Sequence, residues 1–198
     1  VETGICLYNS GNHIFMGTNT GFSRMTERSR DIFEYDGSAL KFDFENGVNV
    51  LSSFIQPDND SLLYGGTYYR NGLYSFSNQT GKLKGLVPLQ GYKGILAVHG
   101  VTQSKANNKV HYIASSQGLL MFNAQTPDML TRVQLPAEGL TGAYIWSMNY
   151  DSSGLLWLAA SNGIYAWNEV EDTIIDYSDT FRKAAGLNSF NLIQTFAD

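Results

Sequence analysis

Acid–base or metal chemistry in this sequence would have to come from 3 histidines, a single cysteine and 18 carboxylates. His13, His99 and His111 fall in or beside expected strands and lack the local spacing of a metal-binding pair, so they read as satisfied or edge histidines. Cys6 lies between Ile5 and Leu7 and reads as a small core residue. A lone thiol can form neither an internal disulfide nor a multi-thiolate metal site. No serine sits in a Gly-x-Ser-x-Gly elbow. Glycoside hydrolysis needs two facing carboxyl groups at a set separation. Asp43, Glu45, Glu138 and Asp179 fall in connections where such a pair can arise, but the sequence gives no separation. No catalytic residue, metal ligand or cofactor is assigned, and the segment is read as non-enzymatic.

Binding chemistry has better anchors. Tyr68-Tyr69-Arg70-Asn71 places two aromatics, a fixed cation and an amide in one loop. Tyrosine rings stack on the apolar face of a sugar while Arg and Asn hydrogen-bond its hydroxyls. Tyr92, Lys93, Tyr144, Trp146, Asn162, Asn188 and Phe190 are expected on the same face. For Trp146 and Phe190 the competing reading is packing between sheets, which is the favoured one because buried aromatics dominate cores.

The elements that position these residues come from a repeat. Four segments run from an apolar strand through small residues and a polar pair to Gly and a second apolar strand. Their glycines, Gly21, Gly72, Gly118 and Gly163, lie 51, 46 and 45 residues apart. A period of roughly 40–50 residues with several strands is propeller spacing. In the fourth unit the strands are expected at 145–150, 155–160, 163–168 and 173–177, with a tight reversal at Asp151-Ser152-Ser153-Gly154. Small residues close each second strand (Gly17-Thr18, Gly65-Gly66, Ala114-Ser115, Ala159-Ala160), as close sheet-to-sheet packing requires. Most loops between second and third strands have two residues, and the Tyr68 loop is the long exception. The expected architecture is an all-β propeller of four-stranded antiparallel blades at about 4–46, 47–90, 91–138 and 139–185. Residues 186–198 parallel 139–151 and are expected to open a fifth blade, which points to an excerpt from a larger ring.

Composition narrows the partners. Charged residues make up 16% of the chain, with 20 Gly and only 4 Pro, which suits many short strands and tight turns. A net charge of −5 and scattered basic residues argue against nucleic-acid binding, which needs clustered Lys and Arg. No apolar run reaches the length of a membrane span, so no membrane contact is expected of this segment.

Gly139-Leu140, Asp151, Gly154, Leu156-Trp157, Asn162-Gly163 and Trp167-Asn168 together resemble the repeat of the two-component regulator propeller family. The turn itself is similar to the structural turn boxes of sialidases. The first three units depart from the pattern, with Phe15, Tyr64 and Tyr112 in place of the Trp. The resemblance implies the periplasmic sensor region of a hybrid two-component receptor, binding an oligosaccharide and signalling to a histidine kinase through a homodimer of the parent protein. A structural or protein-binding propeller is the alternative, and a lyase or glycosidase propeller the weaker one.

Overall fold

The computed structural model describes residues 4–10, 13–18, 21–26, 32–36, 51–56, 61–67, 72–94 and 96–186, with few side chains given among the first 36. It divides into two compact units, Val1–Val98 and His99–Asp198. The first unit contains β1 (Gly4–Ser10), β2 (His13–Thr18), β3 (Gly21–Thr26) and β4 (Ile32–Asp36), followed by β5 (Leu51–Ile55), β6 (Leu62–Thr67), β7 (Leu73–Ser77) and β8 (Leu83–Val87). Next come β9 (Val98–Gln103), β10 (Val110–Ser115), β11 (Gly118–Asn123) and β12 (Leu130–Arg132). They are followed by β13 (Ile145–Tyr150), β14 (Leu156–Ala160), β15 (Gly163–Asn168), β16 (Thr173–Asp176) and a helix, α1 (Ser178–Ala185). Every sheet is a four-stranded meander in sequence order.

Alternation of apolar residues is weak in the middle strands because both of their faces are covered. All six residues of β10 are buried, as are five of six in β6 and in β15. A sheet buried on both faces reads as a near-continuous apolar run. In the first unit Phe54, Leu63, Leu73 and Phe76 are almost fully buried. In the second, Val110, Tyr112, Leu119, Leu140, Ile145, Leu156, Leu158 and Trp167 belong to one core cluster. The small residues that close the second strands lie in these interiors: Gly66, Ala114, Ala159 and Ala160 are buried.

The Asp-x-x-Gly-x-Leu-Trp motif has a local cause. One Asp151 oxygen accepts from the Ser153 amide (2.9 Å), the Ser153 hydroxyl (2.7 Å) and the Leu155 amide (3.0 Å), while the other accepts from Trp157 Nε1 (2.8 Å). These bonds, led by those from Ser153 and Trp157, hold its carboxyl down to about 2. The third sheet does without the Asp. Ser104 closes the corresponding turn by accepting from the amides of Ala106 (3.2 Å) and Asn107 (3.0 Å). Its hydroxyl donates to Glu169 (2.8 Å), whose other oxygen accepts from the Ala106 amide (2.8 Å). The carboxylate missing from this turn is thus supplied by the hairpin loop of the next sheet.

The repeated glycines also have different causes. Gly118 has φ +96°, a conformation that L side chains rarely adopt. Gly163 is instead required by the close approach of Ser178, which a Cβ would strike. Ser178 is buried and accepts a hydrogen bond from the Ile164 amide (3.1 Å). That contact fastens the start of α1, an element the sequence reading leaves as a connection. Asp179 and Arg182 pair along the helix, and Gly186 ends it in the left-handed conformation. Residues 187–198, expected to open a fifth blade, lie outside the described residues, as do Asp43 and Glu45.

Candidate functional site: an aromatic stack on the first strands

The sequence-derived binding residues separate into three groups. Tyr68, Tyr69, Arg70, Asn71, Asn188 and Phe190 lie outside the described residues. Tyr92 and Lys93 belong to the first unit. The Tyr92 ring folds back over Gly94, its amide donates to the Leu89 carbonyl (3.1 Å), and Lys93 is exposed. Tyr144, Trp146 and Asn162 belong to the second unit, and here the structure brings two of them into contact.

Tyr144 and Trp146 lie 5.3 Å apart between ring centroids, tilted by 36°. The third member of the group is His99, which the sequence reading treats as an edge histidine. Its ring is parallel to Trp146 at 5.0 Å with an interplanar angle of 13°, and it stacks on Tyr144 at 6.1 Å. Trp146 and His99 are half-buried, while Tyr144 keeps 44% of its surface exposed. The favoured sequence reading of Trp146 as packing therefore describes only part of it: one side of the stack is interior and its Tyr144 end faces solvent.

Main-chain geometry fixes the stack. The pairing of β13 with β14 skips a residue between Ile145 and Ser147, so Trp146 sits in a bulge. A bulge leaves its extra residue out of the ladder and re-aims the side chain. His99 Nδ1 is 2.7 Å from the Ile145 carbonyl oxygen. A carbonyl can only accept, so Nδ1 carries the proton and the neutral ring keeps its lone pair on Nε2. Burial lowers the His99 pKa, against a smaller upward effect of the bond to Ile145, which favours that neutral form. The Tyr144 carbonyl accepts from the Ser161 amide (2.8 Å), and the neighbouring Asn162 amide donates to the Gly139 carbonyl (3.0 Å). Asn162 thus braces the connection that carries Tyr144.

At the other end of β13 lies a cleft of about 280 Å³, with Lys105, Ser153, Gly154, Asn168 and Glu169 in its wall. Lys105 Nζ donates to the Asp151 carbonyl (2.8 Å) and lies 5.0 Å from the centre of the Tyr150 ring. Burial alone would raise the Glu169 carboxyl, but hydrogen bonds from Ser104, the Ala106 amide, Tyr150 and Tyr112 outweigh it and lower its pKa. The same burial and carboxylate push the Tyr112 and Tyr150 phenols up. These groups join two sheets. Among the described residues no cluster of three or more His, Cys, Asp or Glu side chains is placed to hold a metal.

The fold recurs in solved proteins. The chain is similar to the extracellular domain of the putative hybrid two-component system BT4673 from B. thetaiotaomicron, at 20% identity and a TM-score of 0.68 over 97% of this chain and 24% of that one. It is also similar to the extracellular domain of the putative hybrid two-component system BT3049 of the same organism (17%, TM-score 0.63, 90% of this chain and 23% of that one). The β-propeller domain of Myceliophteria thermophila Cps50 (Swd1) gives 13% and a TM-score of 0.55 over 86% of this chain and 53% of that domain. No family model and no curated protein matches the chain. It has the fold of a β-propeller segment, all-β with four-stranded antiparallel blades, as the repeat predicts. It spans about a quarter of the length of the two extracellular domains. The fold that the two-component resemblance implies is the fold this chain shares with these neighbours. Among the described residues no helix is long and apolar enough to cross a membrane.

Proposed function

We propose that this chain is a ligand-sensing segment of a periplasmic receptor, and that its ligand is a carbohydrate. The carrying observation is the His99–Trp146–Tyr144 stack with Tyr144 exposed at its end. Flat, partly exposed aromatic surface suits the C–H face of a pyranose, and neighbouring amides suit its hydroxyls. The extracellular origin of the similar BT4673 and BT3049 domains supports a location outside the cytoplasm. In this reading ligand binding shifts a population of packing states in a homodimeric receptor and is relayed to a histidine kinase, with no chemistry at the site.

A catalytic reading is less well supported. An ancestral GH74 enzyme shares the fold at 13% identity and a TM-score of 0.57. A glycosidase acid needs a raised pKa. Yet the shifted carboxyls of Asp151 and Glu169 are both lowered, and both oxygens of each are bonded.

Calorimetric titration of the protein with a panel of defined neutral and uronic-acid oligosaccharides tests this function. Saturable binding without turnover of the bound sugar is expected. Tyr144→Ala, at the exposed end of the stack, is expected to weaken it about tenfold, the scale of one good aromatic contact. Failure of every sugar to bind, or release of cleaved product, would overturn the reading.

A further inference from the structure

The landmarks of this repeat wander, but one does not. Strand pairing skips a residue between Gly4 and Cys6, between Leu51 and Ser53, and between Ile145 and Ser147. The extra residues are Ile5, Ser52 and Trp146, and the spacing from 5 to 52 is 47 residues. Advancing 47 again gives 99, and again gives 146. The residue at 99 is His99, the second of β9 as Trp146 is the second of β13. The register shifts of β1, β5 and β13 thus fall in step with one another, with His99 at the equivalent place in β9, while the glycines after the second strands are 51, 46 and 45 residues apart. Two of its occupants, His99 and Trp146, lie face to face.

We infer that the bulged position of each first strand is the ligand-reading position of the repeat, and that in this chain His99 and Trp146 are its reading pair. The inference rests on the carbohydrate reading and refines it. The four occupants are Ile5, Ser52, His99 and Trp146, so flat rings fall at this position only in the second unit. Ring stacking on a pyranose is therefore assigned to β9 and β13. Trp146 and Tyr144 present the contact surface. His99 is a positioning residue: its Nδ1 proton is given to the carbonyl that enters the bulge, and its ring backs the indole. The two contributions are separable by substitution, since Asn retains an N–H donor without a ring and Phe retains a ring without the donor.

The test uses the oligosaccharide panel with Trp146→Ala, His99→Asn, His99→Phe and Ser52→Ala, with thermal unfolding checked for each. Trp146→Ala is expected to weaken binding at least tenfold. His99→Asn and His99→Phe are each expected to weaken it severalfold, and Ser52→Ala to leave it within twofold. Nitrogen-15 spectra of the free protein supply a second readout, with His99 as the Nδ1–H tautomer in the wild type and its ring-current shifts lost in Trp146→Ala. Wild-type binding that is indifferent to Trp146→Ala and to both His99 variants overturns this inference and leaves the carbohydrate reading standing. No binding by the wild type overturns both. An Nε2–H tautomer overturns the positioning role by itself.

Discussion

Asp151 is exposed enough to be hydrated, yet it holds four donors from Ser153, Leu155 and Trp157. Its pKa is held near 2, below the ordinary 3.8, so the folded state binds its proton less readily than the unfolded state. Its contribution to stability is complete above the ordinary value and drains away as pH falls from about 4 towards 2. Asp151→Asn is therefore expected to lower the melting temperature by about 2–4 °C at pH 7. The loss should shrink as pH falls from about 4 towards 2, because the unfolded wild type takes up the proton that the folded state resists; thermal scans across that range check it. The reversal at 151–154 is legible in the sequence as a polar cluster ending in Gly, whereas the bond from the Trp157 indole to Asp151 emerges only in the structure. Ser104 and Glu169 do the equivalent work in the third sheet but were not legible, since the carboxylate comes from 65 residues away. His99 was missed for a related reason: its role exists only through the Ile145 carbonyl and the Trp146 ring, which lie 46 and 47 residues on in the chain.

At the scale of the element, strand identity followed from the pattern and helix identity did not. The fourth sheet was anticipated nearly residue for residue, because Gly and polar clusters bracket each apolar run. The segment 178–185 carries no comparable bracket on its N-terminal side, and Tyr177 makes no side-chain cap bond there. What holds α1 is tertiary: Ser178 against Gly163, and Tyr177 and Phe181 against the Trp157 ring at 4.9 and 6.3 Å. Of the small residues at the ends of second strands, Gly66 is a close-approach site and Ala114, Ala159 and Ala160 are buried. At Gly66 an added Cβ would meet Cγ1 and Cβ of the Val98 side chain, so that something must shift to admit it. Gly66→Ala is expected to destabilise the first unit by about 1–3 kcal/mol, the usual cost of overpacking an interior. Denaturant unfolding checks it, and an unchanged midpoint would show that the strand moves aside.

For the molecule as a whole, low charge density and a net charge of −5 agree with recognition through neutral surface. The members of the stack are two uncharged rings and a histidine whose pKa is lowered. Sugar binding is accordingly expected to change less than about twofold between 50 and 500 mM NaCl, because screening acts on charge pairs and not on ring contacts. Titrations at the two salt concentrations decide this, and a steep fall would move the site to Arg70 and Lys93. The propeller architecture was readable because a period survives substitution of almost every individual side chain. The neighbours of the proposed site were not readable, because a loop's composition names its chemistry without saying which residues it meets.

The constant interval at the bulges has a genetic corollary. A tandem array whose first strands keep step while its hairpins vary can lose or gain a 47-residue cassette, cut at equivalent points, and still leave every strand in phase. Such an array can exchange whole modules, each bringing its own reading residue, so that specificity is rewritten by recombination instead of point by point.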